Sequence, residues 1–225
     1  LKPDQVAAND ITVVPLLVTF GDREYRAGVD LDADTFWDEL TREGAPFPRT
    51  AAAAPGTFQS TFERLFAEGA DEIVYVGVGA KLSATIGSAM VARDALPGRT
   101  IHIVDSDSAS MGIGLLALEA VEMAAAGKSG TEIADTLIMR RDQVKLYVVL
   151  DTLEYLKRGG RISPARAAIG GLLSVKPIIT LEDGEVETAD RPRTSGKARA
   201  RLIELLAELK PERVAVLHGL AEGID

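Results

Sequence analysis

The stretch that decides the fold is residues 73–89, IVYVGVGAKLSATIGSA. Its first half is a β-prone apolar run of strand length, and Gly77 and Gly79 loosen the end of that run. Its second half is rich in small residues, which suit a helix packed closely on a sheet. The loop between them lies at the carboxyl end of the strand, where amide N–H groups and hydroxyls face a bound anion. Ser83 and Thr85 are therefore the first candidates for ligand contact, with helix capping as the structural alternative for Ser83.

The composition is that of an ordinary globular protein, because 46% of its 225 residues are apolar and 26% are charged. A net charge of −9 and an aromatic content of 5% disfavour a nucleic-acid groove. The absence of cysteine and the presence of only two histidines exclude thiolate and histidine-rich metal sites. No metal or cofactor is therefore expected. The longest apolar run, residues 11–17, is far too short to span a bilayer.

Strand and helix patterns alternate through the first 140 residues. This alternation predicts a parallel α/β sheet with flanking helices, whose ligands bind beyond the carboxyl ends of the strands. The predicted strands cover residues 11–18, with Pro15 at a bend or an edge, residues 73–78 and residues 100–105. The predicted helices cover residues 32–42, 55–67, 112–126 and 130–140, and a further helix follows Ser83.

The pattern changes near residue 144, which predicts a second domain with a mixed, partly antiparallel sheet. Strands are expected at residues 144–150, 176–181, 185–188 and 213–218, and helices at residues 153–157, 164–173 and 196–209. Asp183-Gly184 between two of these strands is a strong hairpin signal. The predicted organisation is therefore an N-terminal α/β domain over residues 1–143 and a C-terminal α/β domain over residues 144–225.

Three stretches together carry a resemblance to a known family. They are LEYLKRGGRIS at residues 153–163, LLSVKPI at residues 172–178, and the pair KLSAT and VDS at residues 81–85 and 104–106. With VPL at residues 14–16, their order and spacing resemble the DegV family of bacterial fatty-acid-binding proteins over essentially the whole chain. The resemblance implies a two-domain α/β fold that holds a long-chain fatty acid, such as palmitate or stearate, in a tunnel between the domains.

The resemblance also implies a partner. Proteins of this family present the carboxylate of the fatty acid to the ATP-binding subunit of fatty acid kinase, and that subunit makes the acyl phosphate. This chain is thus expected to be a cytoplasmic lipid-binding subunit and not itself an enzyme, with no catalytic residue of its own. Transient contact with a membrane surface is compatible with this role.

Carried over onto this sequence, the carboxylate ligands of the family fall on Thr50 and Ser83, with Thr85 beside Ser83. Two departures from the family pattern lie next to them. Residues 51–54 are all alanine where the family usually continues Ser-Gln-Pro-Ser, and Ala84 replaces a glycine. An N-terminal Asp-Ser segment and a C-terminal His and Gly-Pro-Gly segment of the family have no counterpart here, so the sequence is expected to be trimmed at both ends.

A second group of candidates consists of arginines. Arg158 and Arg161 flank Gly159-Gly160, and in an acidic chain such arginines are expected to face an anion or a partner surface. The structural alternatives are that Arg158 is solvated and that Arg161 holds the loop to a backbone carbonyl. The resemblance places partner contact at Arg193. From the residues themselves, Arg158 is expected to be a further partner contact, and Arg161, Gly159 and Gly160 are expected to support the loop.

The rival from another class is a nucleotide- or phosphate-using α/β enzyme, suggested by the strand-loop-helix units and by Asp105. Its fingerprint is missing, because no third glycine follows Gly77 and Gly79 at the required spacing and no Gly-Lys-Ser/Thr loop occurs. A turn element is the simpler interpretation of Asp105 and Ser106. His102, inside a strand, is expected to be a satisfied core residue. A Gly-x-Ser-x-Gly hydrolase elbow is absent from the sequence, and a purely partner-binding module is the third possibility.

Overall fold

The structure is a computed structural model that describes residues 1–162 and 175–219. The helix expected over residues 164–173 lies outside the described residues. The helices are α1 Pro3–Ala8, α2 Ala33–Thr41, α3 Pro55–Ala67, α4 Thr85–Asp94, α5 Met111–Ala125, α6 Gly130–Arg140, α7 Glu154–Arg158 and α8 Ser195–Leu209. The strands are β1 Leu17–Phe20, β2 Arg23–Arg26, β3 Arg49–Ala51, β4 Glu72–Gly77, β5 Thr100–Asp105, β6 Tyr147–Val149, β7 Ile178–Glu182 and β8 Glu185–Asp190.

The chain is an α/β protein, as the alternating patterns predict, and it divides into two compact units. The first unit contains Leu1–Lys145 and Leu181–Glu185, and the second contains Leu146–Thr180 and Val186–Asp225. The first break in the chain follows Lys145. No helix in the described part of the chain is both long and apolar enough to cross a membrane.

The N-terminal strands differ from the prediction. The strand expected over residues 11–18 is placed at Leu17–Phe20, after Pro15, and it belongs to an antiparallel sheet of order β2-β1-β3. Pro15 has no N–H to donate to a ladder, which explains why the strand begins only after it. Both outer strands are polar and mostly exposed, so they carry no apolar alternation that would reveal them in the sequence.

The parallel sheet expected from residues 73–105 is present. β4 pairs with β5 in parallel, with Ile73 opposite Ile101 and Gly77 opposite Asp105. Its two faces are covered by different apolar clusters. One cluster includes Ile73 with residues of α3 and α4, and the other includes Leu137 of α6 with Leu116 of α5. Burial of both faces explains why β4 has a nearly continuous apolar sequence.

Helix α3 shows why the sequence predicts its bounds. Pro55 occupies the first turn, where its missing N–H costs nothing. Phe58, Phe62 and Phe66 then recur every four residues, which places all three on one face. Each is buried in the cluster that covers β4 and β5.

Within the sheet of order β6-β7-β8, β6 pairs antiparallel with β7. Asp183 and Gly184 connect β7 to β8, with φ angles of 49° and 72°. Two successive positive φ angles are characteristic of the hairpin turn that the sequence predicts. The antiparallel pairing of β6 with β7 agrees with the expectation of a partly antiparallel sheet.

The predicted strand at residues 213–218 is wrong. The structure assigns no strand there, and Val214, Val216 and Leu217 are 55%, 79% and 56% exposed. An apolar, β-branched segment becomes a strand only when its backbone groups pair with a neighbour. Among the described residues, no strand pairs with this segment.

Candidate functional site

The turn between β4 and α4 is organised by one backbone carbonyl. Gly79 O accepts hydrogen bonds from Leu82 N at 2.9 Å and from Ser83 N at 3.1 Å. Helix α4 then begins at Thr85, and the side chain of its N-cap residue, Ala84, makes no capping hydrogen bond. The first turn of a helix has N–H groups without intrahelical partners and carries partial positive charge, so this end of α4 favours an anion.

Ser83 and Thr85 meet at this helix start. Their hydroxyl oxygens lie 2.7 Å apart, and Thr85 N donates to Ser83 Oγ at 3.3 Å. Ser83 therefore makes a capping contact, although it precedes the N-cap residue. Thr85 is buried, with 3% of its surface exposed, whereas Ser83 is only partly buried. In this arrangement Thr85 orients the Ser83 hydroxyl, and Ser83 is the member of the pair that is more accessible to a ligand.

The loop after β5 packs directly on this turn. Gly79 N donates to Ser108 O at 2.8 Å, and Ala80 N lies 3.2 and 3.3 Å from the two carboxylate oxygens of Asp105. A Cβ atom on Gly79 would lie 3.2 Å from the carbonyl carbon of Asp107 and 3.3 Å from Ser108 N. Glycine at position 79 therefore allows the two backbones to approach each other this closely.

Asp105 and Ser106 form the turn element that the sequence predicts. The Asp105 carboxylate accepts from Asp107 N at 3.0 Å as well as from Ala80 N. The buried Ser106 hydroxyl donates to Gly77 O at 2.6 Å and accepts from Ser108 N at 3.1 Å. These contacts connect the carboxyl ends of β4 and β5.

Asp107 is engaged by Arg141, which follows α6. Arg141 Nε lies 3.2 Å from Asp107 Oδ2, and its Nη1 donates to Asp105 O at 2.9 Å. Burial raises the pKa of the Asp107 carboxyl above its usual value, while the nearby Arg141 charge acts in the opposite direction. The carboxylates of Asp105 and Asp107 thus hold the loop together. The Asp105 region was the main sequence feature in favour of a nucleotide-using enzyme, and these contacts give it a structural role instead.

Thr50 is placed in the same unit but on a different element. It lies on β3 opposite Val18 of β1, and it is exposed. Its hydroxyl has no hydrogen-bond partner among the described residues. Three residues later, Ala53 is 3% exposed and belongs to the cluster of Phe58 that also packs against Ala89 of α4. One apolar core therefore anchors both the segment after Thr50 and the helix after Ser83.

The Arg-Gly-Gly-Arg segment ends helix α7 in the second unit. Gly160, with φ 73°, is followed by Arg161, whose N–H donates to Leu156 O at 2.9 Å, while Gly160 N donates to Lys157 O at 3.1 Å. These two bonds form a Schellman motif, which needs a residue of positive φ. Arg161 Nη1 donates to Gly159 O at 2.5 Å, so this arginine contacts the backbone of its own loop.

The other arginines and His102 have different surroundings. Arg158 is exposed, with its Nε 4.0 Å from Glu154 Oε1. Arg193 is exposed immediately before Thr194, the N-cap residue of α8. His102, on β5, is partly buried with its Nε2 3.0 Å from Glu72 Oε2. It is therefore a partnered residue of the sheet, as the sequence predicts.

One residue near the predicted site is not singled out by the sequence. Tyr75 is a member of the apolar run of β4, and nothing in that pattern distinguishes it from a core residue. The structure shows that its ring lies beside Gly77, at the end of the strand that leads to Ser83. The only signal in the sequence is the presence of a polar group in a run of otherwise aliphatic side chains.

Comparison with known proteins gives a consistent result. The profile of the DegV family matches residues 1–224. A DegV domain-containing protein of Caldanaerobacter subterraneus is 37% identical over 206 residues, which cover 92% of this chain and 72% of the relative. A solved DegV family protein from Thermus thermophilus, described by its fatty acid binding, is 34% identical to this chain and has a TM-score of 0.85. The match covers 95% of this chain and 75% of that chain. A stearic-acid-binding protein from Eubacterium ventriosum is 26% identical with a TM-score of 0.85, and the match covers 93% of this chain and 73% of that one.

Proposed function

Because this chain belongs to the DegV family, we propose that it binds a long-chain fatty acid, such as palmitate or stearate, and presents its carboxylate to a kinase partner. The partner is the ATP-binding subunit of fatty acid kinase, which transfers the phosphoryl group. This chain then contributes no catalytic residue of its own. We infer a cytoplasmic location, because the proposed partner uses ATP.

The observation that carries this proposal is the Ser83–Thr85 hydroxyl pair, with its 2.7 Å oxygen-oxygen distance, at the first turn of α4. A fatty acid has one polar group, and a carboxylate is stabilised by hydroxyl donors and by the N-terminal end of a helix. The solved relative from Thermus thermophilus that shares this fold is described as binding fatty acid. Thr50, with an exposed hydroxyl, is the proposed second donor.

The two parts of the ligand contribute differently to its binding. Burial of about fifteen methylene groups at roughly 0.8 kcal/mol each supplies on the order of 10 kcal/mol before ordering costs. One hydrogen bond to a charged acceptor contributes less, about 1.5–3 kcal/mol. The acyl chain therefore sets the affinity, and Thr50 with Ser83 sets the direction in which the ligand binds. Neutral hydroxyls also leave the carboxylate freer to react than a bidentate arginine pair would.

We expect Ser83→Ala and Thr50→Ala each to weaken palmitate binding by about 10- to 150-fold, because each removes one hydrogen bond to a charged group. The dissociation constant is measured by calorimetry on delipidated protein. Ser88→Ala is the matched control, since Ser88 lies on the same helix as Thr85 and has no proposed role. Hexadecanol, which has the same tail and no carboxylate, should bind the variants and the wild type with more similar affinities.

Two results would refute this assignment. If both variants bound palmitate as tightly as the wild type and supported acyl phosphate formation at the same rate, the hydroxyls would not be the carboxylate ligands. If delipidated wild-type protein bound no fatty acid at all, the proposed function itself would be wrong. A nucleotide found by native mass spectrometry of the purified protein would instead favour the enzyme interpretation.

The proposed kinase contact centres on Arg193, with Arg158 as a secondary contact. An exposed arginine is a common anchor at protein interfaces. We expect Arg193→Ala to weaken binding of the kinase subunit from the same organism by about tenfold or more while palmitate affinity stays unchanged. Arg191→Ala is the matched control, because Arg191 is also exposed and lies two residues away. Undiminished capture of the kinase subunit by Arg193→Ala would remove Arg193 from the interface.

A further inference from the structure

Tyr75 connects the two segments that carry Thr50 and Ser83. Its ring centroid lies 5.2 Å from that of Phe58, with the planes at 81°, and it packs against the apolar cluster that contains Ala53. Ala53 lies three residues after Thr50. The ring therefore belongs to the packing that anchors the Thr50 segment.

Gly77 shows where the other edge of the ring lies. A Cβ atom on Gly77 would be 2.8 Å from Cε1 of Tyr75 and 2.9 Å from Cγ1 of Ile86. The Tyr75 ring and the Ile86 side chain therefore share the space above Gly77. Ile86 directly follows Thr85, so the ring also reaches the start of α4, next to the Ser83–Thr85 pair.

The hydroxyl of Tyr75 is not used by the fold. Among the described residues it has no hydrogen-bond partner, and the residue as a whole is partly buried. A phenol hydroxyl that the fold leaves unpaired remains available to solvent or to a ligand. Burial raises the pKa of Tyr75 to about 12, so the phenol keeps its proton at neutral pH and can donate it in a hydrogen bond.

We propose that Tyr75 is a third hydroxyl donor to the carboxylate of the bound fatty acid, together with Thr50 and Ser83. This inference rests on the proposed function and assigns a further residue to the same site. A carboxylate has about four acceptor positions on its two oxygens, so three neutral donors can be accommodated at once. The phenol would also help to discriminate against ligands with an uncharged head group, because hydrogen bonds to ionised acceptors are the stronger ones.

The test is Tyr75→Phe, which keeps the ring and its packing and removes only the hydroxyl. We expect palmitate to bind about tenfold more weakly and hexadecanol to bind with a much smaller change, so that the preference for the acid over the alcohol falls. Tyr25→Phe is the matched control, because Tyr25 lies on β2 in the cluster of Val18 and Phe20. An unchanged urea midpoint would show that the fold is intact.

The outcomes separate the two claims. A loss confined to the carboxylate ligand supports the role of Tyr75. Wild-type affinity for palmitate, or an equal loss for palmitate and hexadecanol, would overturn it and assign Tyr75 to packing alone, while the fatty-acid function would stand. Absence of palmitate binding by the wild type would reject the proposed function and the role of Tyr75 with it.

Discussion

Phe58→Ala is expected to lower the free energy of unfolding by about 3–5 kcal/mol, the usual cost of removing a fully buried aromatic ring. Phe58 has 0% of its surface exposed, and its ring contacts those of Phe62 and Tyr75 at centroid distances of 5.9 and 5.2 Å. Loss of the ring leaves a cavity at the centre of the cluster that covers β4 and β5. The wild-type packing around it can relax only in part.

The measurement is urea denaturation followed by the fluorescence of Trp37, the single tryptophan of the sequence. Gln59→Ala is the control, because the side chain of Gln59 donates an exposed hydrogen bond to Glu63 on the same helix. A change within about 0.5 kcal/mol is expected for that substitution. A loss below about 1 kcal/mol for Phe58→Ala would contradict the packing described for this cluster.

Gly112→Ala is expected to destabilise the protein by about 3 kcal/mol, at the upper end of the usual cost of overpacking. A Cβ atom on Gly112 would lie 2.0 Å from Ser108 Oγ and 2.9 Å from Ser108 Cβ. Ser108 is 3% exposed, and although rotation about χ1 can move its hydroxyl, its Cβ atom is fixed by the backbone. The clash therefore has to displace either α5 or the loop after β5, and this cost exceeds the gain of about 1 kcal/mol in helix propensity.

Gly114→Ala provides the matched control on the same helix. There the added Cβ atom would meet the sulfur of Met111 at 2.8 Å, and this flexible thioether can rotate away. We expect a change between zero and a gain of about 1 kcal/mol. Adding Ser108→Gly to Gly112→Ala removes both clashing atoms and should restore part of the lost stability. Equal effects of Gly112→Ala and Gly114→Ala would contradict the clash.

Local signals explain which elements were predictable. Three elements have the predicted bounds, namely helix Pro55–Ala67, helix Gly130–Arg140 and strand Thr100–Asp105. A proline at a helix start, phenylalanines on one helix face and a short apolar run are signals that act over short distances in the sequence. β2 and β3 have no such signal, since their existence depends on pairing with β1. Residues 213–218 show the converse, a strand-like pattern without a strand.

The candidate site also has a part that the local sequence predicts and a part that depends on tertiary contacts. Ser83 and Thr85 were recognisable because hydroxyls directly follow a buried strand. Their 2.7 Å contact depends on how the turn folds around Gly79, which no residue pattern specifies. Tyr75 differs from its neighbours in β4 by a hydroxyl without a hydrogen-bond partner in the described part of the chain, and this depends on the tertiary contacts and not on the local sequence.

The hydrogen bonds that join the loops after β4 and β5 constrain how this site can diversify. Gly79 N donates to Ser108 O in the second loop, and Ala80 N donates to the carboxylate of Asp105 at the end of β5. Gly79 has no room for a side chain against the second loop. An insertion in one loop alone would break these bonds and leave backbone groups unpaired. A redesign of either loop therefore has to change both loops together.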